Sequence, residues 1–329
     1  MLAAMNKRVE RFLPLIVTLC VVVGYLDSEF WSGLAFLIPY VFAVMTFIGS
    51  MNATIRDVRH VVTHPLPLFA CIVLLHGAAP VMAWAAGSLV FHDAAAVIAG
   101  IVLVFVVPTG VMSLVWVMII KGNIAFTLTL IVVDTLLAPL YIPLVLKWIL
   151  GGSVDIDMLD MMGGLFLMIL LPSLAGLLFN HWTRGEFKKK YGQGLSLASK
   201  LGTMLVITPN SAVVAPSLKG FGPDVLAILL VIFALANANY WLGFGVARLF
   251  RWDPGLTTSV VLNSGLRNNA AASALALAYF PPQAAISPIV FFFFQQVLAS
   301  FYVRWLDRRS RRLAGAEPDP ASEAASGGS

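Results

Sequence analysis

Apolar residues run along this chain in blocks of about 20, separated by short polar or charged segments. The blocks show neither the strict alternation of a half-buried strand nor the narrow stripe of a half-exposed helix. That length matches the roughly 20 helical residues needed to cross a bilayer core. Only helices and closed barrels satisfy their backbone groups in lipid, and blocks this long are helical. The pattern predicts ten spans, at 12–27, 31–51, 66–90, 94–120, 124–147, 160–181, 195–216, 224–248, 256–279 and 284–305. The first block follows MLAAMNKRVERF, lacks a small-residue cleavage site and is followed at once by a second span. It reads as a transmembrane helix rather than a leader.

Two of these spans are interrupted. The fourth carries Val107-Pro108-Thr109-Gly110, and the ninth carries Asn263-Ser264-Gly265, with Arg267 just beyond. The polar segment Gly151–Asp160 divides the ten spans into five and five. An odd number of spans per half turns the second half upside down relative to the first, the signature of an inverted repeat. The fold class expected is therefore all-α, a polytopic membrane protein of two inverted five-helix repeats. Helices 4 and 9 are broken, at Pro108, Gly110 and Gly265, and cross each other. The repeats are expected at 12–152 and 153–312, between an N-terminal segment 1–11 and a disordered tail 313–329.

Composition agrees. The chain has 329 residues, is 60% hydrophobic and only 11% charged, against about 25% charged in soluble domains. Its net charge of +5 is not a nucleic-acid footprint, because cytoplasmic loops are the basic ones. An N-terminus placed inside puts all but three of the 21 basic residues on the inner face. Lys147 and Lys219 fall outside and Arg267 in the membrane. The expected location is the plasma (inner) membrane, with both termini cytoplasmic. Cys20 and Cys71 lie in apolar blocks and read as packing residues. His60 and His64, four apart in a polar loop, lack a third ligand, and no metal site is expected.

The run Pro108–Pro143, PTGVMSLVWVMIIKGNIAFTLTLIVVDTLLAPLYIP, and Asn263–Asn268, NSGLRN, resemble the bile acid:sodium symporter family. The first is similar to its PGGTASN, KGD-like turn and STLLAPLLTP. The second sits where the family has EVGxQN. The resemblance spans nearly the whole chain. It implies a panel domain (spans 1, 2, 6, 7), a core domain (spans 3–5, 8–10), elevator-like alternating access and organic-anion substrates. Arsenite carriers share the fold but have a cysteine in the fourth span, and here there is none.

The family's sodium sites are carried over incompletely. The Ser of its span-4 Ser-Asn pair is Ser113, but the Asn is Leu114. The first span-5 hydroxyl is Thr127, but the next is Ile131. The span-9 Glu and Gln are Asn263 and Arg267, and a span-3 Gln falls at about Leu75, beside His76. A carboxylate and several oxygens are gone and a positive charge is added, so sodium is disfavoured as a bound ion and no other cofactor is expected. Asp134 stands where the family usually has Ser. It shares a helix face with Thr127 and Ile131, about 10 Å along the axis from Thr127. Arg267 is thus expected to replace the bound cation and Asp134 to supply the compensating charge, since buried charges need pairing. Ionisable residues at membrane depth are functional by default.

The substrate-binding candidates are Arg267, Asn268, Asn263, Ser264, Thr109, Ser113, Gln295 and Gln296. The ion- or proton-coupling candidates are Asp134, Arg267, Thr127, Ser113 and His76. Asn210, Asn237 and Asn239 are further polar residues in apolar spans. The expected function is secondary transport of a small or amphipathic organic anion, proton-coupled, as an exchanger or as a facilitator. A sodium symporter with displaced ligands is the alternative, and a non-transporting receptor or scaffold a second one. An enzyme is not expected, for no nucleophile–base or metal-ligand cluster appears. The expected partners are the organic anion and the lipid bilayer, and the sequence admits a homodimer.

Overall fold

The computed structural model describes residues 2–54, 65–151, 157–219 and 222–313. His60, His64 and most of the expected tail lie outside the described residues. Within them every regular element is helical. We number these α1 (Leu2–Leu26), α2 (Ser28–Ser32), α3 (Ile38–Ser50), α4 (Pro65–Phe91), α5 (Ala95–Val106), α6 (Met112–Ile119) and α7 (Ile124–Leu150). They continue as α8 (Met158–Trp182), α9 (Glu186–Lys219), α10 (Gly222–Leu249), α11 (Pro254–Gly265), α12 (Asn269–Tyr279) and α13 (Ile286–Leu313).

Seven helical segments of the described residues are long and apolar enough to cross a membrane, and Leu15–Leu26 and Ala95–Val106 are shorter apolar helices. The chain is an integral membrane protein. The expected spans 94–120 and 256–279 are not continuous helices: each divides into two, α5 with α6 and α11 with α12. Pro108 supplies no backbone N–H to continue α5, and Val107 is extended. At the second break Leu266 is extended.

Two helices start earlier than their apolar blocks. α1 begins at Leu2 rather than 12, and α9 at Glu186 rather than 195. These extensions pack on each other, and Asn6 is the reason. Its amide donates to Gln193 O at 2.7 Å and Gln193 Oε1 at 2.9 Å, and its Oδ1 accepts from Lys200 Nζ at 2.8 Å. The polar ends are held by each other, outside the apolar window that the sequence pattern measures.

α1 lies along α9, and α3 packs on both α8 and α9. α5 is the centre of a second group, against α4, α12 and α13, while α10 packs on α11 and α13. Every residue of α5 from Val97 to Val106 is buried, which explains why that block is apolar on all sides.

Candidate functional site

The two breaks meet. Gly110 N–H donates to Leu266 O at 3.0 Å, and Asn268 N–H donates to Pro108 O at 2.8 Å. Thr109 and Arg267 thereby face each other in an isolated antiparallel bridge. Backbone groups freed by breaking a helix in the membrane must be satisfied elsewhere, and each break satisfies the other. The approach requires a glycine at 110, where a Cβ would stand 2.8 Å from Arg267 O.

Around this crossing the candidates separate into two sets. The first is sealed. Ser113 Oγ donates to Asn263 Oδ1 at 2.7 Å, and Asn263 Nδ2 donates to Thr127 Oγ1 at 3.2 Å and to Ser259 O at 2.7 Å. The Thr109 hydroxyl lies 3.0 Å from Leu266 O and 3.1 Å from Asn263 O. One carboxamide thus links helices α6, α7 and α11. Several oxygens converge here, among them Thr109 Oγ1, Ser113 Oγ, Thr127 Oγ1 and Asn263 Oδ1. The Asn263 oxygen accepts from hydroxyls of the chain, Leu114 and Ile131 offer no ligand, and the Arg267 guanidinium adds a competing charge.

The second set lines a cavity of about 370 Å³. Thr109, Gly110, Arg267, Asn268, Gln295 and Gln296 border it at the crossing, and Lys188 and Lys200 border it further out. Asn268 is partly committed, since its side chain caps α12 by accepting from Ala271 N–H at 3.3 Å. Gln296 accepts from Trp116 Nε1 at 3.3 Å. Gln295 is buried, and its Oε1 has no partner among the described residues. Beside Asn268, Asn269 is only 3% exposed, and neither polar atom of its side chain has a partner among the described residues. Ser264 is not brought to the cavity: its hydroxyl donates back to Val260 O at 2.7 Å, and its side chain faces Gly243 on α10.

The expected Arg267–Asp134 ion pair is not formed. Asp134, fully buried, has His76 Nε2 at 2.6 Å from Oδ1, accepts from Tyr141 OH at 2.9 Å on the same oxygen, and accepts from Thr109 N–H at 2.7 Å on Oδ2. Arg267 Nη2 donates to Asn239 Oδ1 at 3.3 Å, Nη1 reaches Leu75 O only at 3.5 Å, and Nε has no partner among the described residues. Arg267 and Asp134 interact through space without touching. A five-residue π-helical stretch, Leu74–Ala78, interrupts α4 and carries His76. Such bulges shift the register of a helix face, so the sequence pattern alone does not show His76 turned to Asp134.

Sequence reasoning missed two members of this group. Tyr141 was legible in principle, because it lies seven residues from Asp134 on the same face of α7. Asn239 reads in the sequence only as a polar residue in an apolar span, because its partner Arg267 lies at the break between two other helices.

The chain was compared with known proteins. The model of the Sodium Bile acid symporter family matches residues 39–220. The chain is 36% identical over 296 residues to the uncharacterized protein YbaS of Bacillus subtilis (strain 168), covering 90% of this chain and 97% of that protein. It is 24% identical to the uncharacterized sodium-dependent transporter YocS of the same organism, over 90% of this chain and 91% of that one. Human sodium/bile acid cotransporter 4 is 24% identical over 79% of this chain and 61% of that protein.

Proposed function

This chain belongs to the sodium bile acid symporter family, and from that premise we propose that it carries a small organic anion, with Arg267 as a built-in cation where a sodium-coupled relative would hold its ion. Secondary transport across a membrane, and not enzymatic chemistry, follows from the family itself. The finer reading rests on the cavity at the crossing. The N-termini of α6 and α12 both border it, at Val111–Met112 and Asn269. Helix N-termini carry a partial positive charge and free N–H groups, which suit an anion. The unpartnered Asn269 amide, buried beside them, is the single observation that carries the proposal. A buried amide left without a partner is costly, and an anionic oxygen supplies the missing acceptor.

The packing supports an elevator arrangement of two inverted repeats. α1, α3, α8 and α9 form the panel, and α4–α7 with α10–α13 form the moving core. The cavity runs from the crossing to Lys188 and Lys200, on the face that the charge distribution makes cytoplasmic, so this conformation is inward-open.

Among the coupling modes, the His76–Asp134 pair favours a proton. His76 Nε2 lies 2.6 Å from the carboxylate, close enough for the two to share a proton. An added proton raises the charge of the group by one, as a bound sodium ion would. Asp134 also holds Thr109, whose backbone is paired with Arg267 at the cavity wall, so protonation and anion binding act on one segment.

Uptake into proteoliposomes tests this. A pool of organic carboxylates and sulfonates is offered with an inward proton gradient in choline medium, beside uncharged analogues. The expected result is accumulation of an anion without sodium, lost in Asp134→Asn. Accumulation that requires a sodium gradient would overturn the coupling and favour displaced sodium ligands, as similarity to YocS would then suggest.

A further inference from the structure

α10 ends on a glycine-free closing motif. Trp252 N–H donates to Ala247 O at 3.1 Å and Arg251 N–H to Arg248 O at 3.2 Å, which puts Arg251 at φ 53°. Glycine usually fills that left-handed position, and a side chain there is disfavoured. Lys121 and Arg184 end α6 and α8 in the same way, and Arg251 opens onto a recess. That recess has a volume of about 330 Å³ and lies between the end of α10, the start of α11 and the end of α13. Arg248, Arg251, Trp252, Thr257, Arg309 and Ser310 line it, and none of the described lining residues is acidic.

Two of the three guanidinium groups converge on one ring: Arg309 Cζ lies 4.8 Å and Arg248 Cζ 5.5 Å from the centre of Phe244. Like charges gathered on one aromatic ring repel, which an anion between them relieves. Asp253 is committed to capping α11 through Gly255 and Leu256 N–H at 2.9 and 3.0 Å, and Asp307, two residues before Arg309 on α13, is not among the residues that line the recess. Three arginines, three hydroxyl residues and a tryptophan around one recess suit a phosphate oxyanion.

The flanks say which phosphate. Trp241 on α10 and Phe301 on α13 are both more than half exposed, and Leu249 and Phe250 at the end of α10 are also exposed. Trp241 contacts Trp305 at 5.3 Å between ring centres. A wall of exposed apolar side chains running away from a cluster of arginines matches acyl chains below a headgroup, not a free ion in water. We infer that this recess binds the phosphodiester headgroup of an anionic phospholipid, in the leaflet that the charge distribution assigns to the cytoplasm. Because α10 leads directly into the broken helix α11, such a lipid fixes the base of the element that carries Arg267.

Full-length protein in a non-ionic detergent is titrated with phosphatidylglycerol, with phosphatidylcholine of the same chain length, and with inorganic phosphate. Melting temperature and bound lipid by native mass spectrometry are read. Phosphatidylglycerol alone should raise the melting temperature and leave a retained adduct. Arg248→Gln with Arg309→Gln should weaken its half-saturation by roughly tenfold or more. Lys121→Gln with Arg184→Gln removes equal charge from two other helix ends, outside this recess, and should leave it unchanged. An equal response in the two double variants overturns the site, and inorganic phosphate reproducing the effect overturns the lipid. If the recess variant does not fold, a photoactivatable phosphatidylglycerol is crosslinked to the unmodified protein. Adducts within 247–258 and 305–310 support the site, and adducts confined elsewhere overturn it.

Discussion

Thr109 and Arg267 face each other across two backbone hydrogen bonds, each residue at the break of its own span. The pairing makes the two breaks one mechanical unit. Thr109 brings to it the negative charge of Asp134, through a 2.7 Å bond from its N–H, and Arg267 brings the positive charge itself. Charge at the site and geometry of the crossing are therefore coupled through a few backbone atoms.

The first prediction concerns who partners Asp134. Asp134→Asn removes the carboxylate that faces His76, Tyr141 and Thr109 and leaves Arg267 without a counter-charge. Breaking a buried ionic partnership costs about 3–5 kcal/mol, seen as a large fall in melting temperature. A double-mutant cycle of Asp134→Asn with His76→Gln should give a coupling of about 1–3 kcal/mol. The cycle with Arg267→Gln should give less, because those two side chains do not touch. The opposite ranking would restore the direct Arg267–Asp134 pair.

The second concerns sodium. Melting curves in sodium chloride and in choline chloride at equal ionic strength should coincide. A selectively bound ion at a hundredfold excess over its Kd would stabilise the fold by about 2.7 kcal/mol. A clear sodium-specific rise would mean that ligands other than Ser113, Thr127 and Asn263 assemble a sodium site.

Much of this was legible in the sequence, for identifiable reasons. The apolar blocks gave the helices because lipid demands that backbone groups be satisfied within the segment. Pro108 marks a break because it has no N–H for a helix bond, and Gly110 and Gly265 mark the breaks because glycine is a weak helix former. The early starts of α1 and α9 were not legible, since they depend on Asn6 meeting Gln193 and Lys200, a contact between distant segments. The partner of Asp134 was misread because the π-helical stretch at Leu74–Ala78 rotates His76 in a way that no regular period reveals. Ser264 was chosen by its place in a polar run, yet it bonds within its own helix, the usual alternative for a serine in an apolar span.

The third prediction uses three glycines. A Cβ on Gly265 would enter the ring of Tyr240, which is buried and stacked on Tyr302 at 4.0 Å. Overpacking of this kind costs about 1–3 kcal/mol, so Gly265→Ala should lower the melting temperature. Gly110→Ala should do so too and should also abolish uptake, since its Cβ pushes on Arg267 O. Gly163 has nothing within 4 Å of its Cβ, so Gly163→Ala should be silent or slightly stabilising. Equal effects at all three positions would show that close approach at the breaks is not the cause.

The last prediction separates binding from folding at the cavity. Asn269 is buried, yet its amide bonds to no described residue. Its removal therefore costs the fold no hydrogen bond, and relieves the penalty of an unsatisfied polar group. Asn269→Ala should leave the melting temperature within about the 0.5 kcal/mol range of neutral substitutions. If the amide and the N-terminus of α12 receive the anion, the same variant should raise KM for transport by about tenfold, the loss of one hydrogen bond to a charged group. Asn268→Ala provides the contrast. That side chain caps α12, so its loss should cost about 1 kcal/mol of stability along with any effect on transport. A variant Asn269→Ala that melts early and transports normally would make the residue a packing element, and would move the anion away from the helix ends.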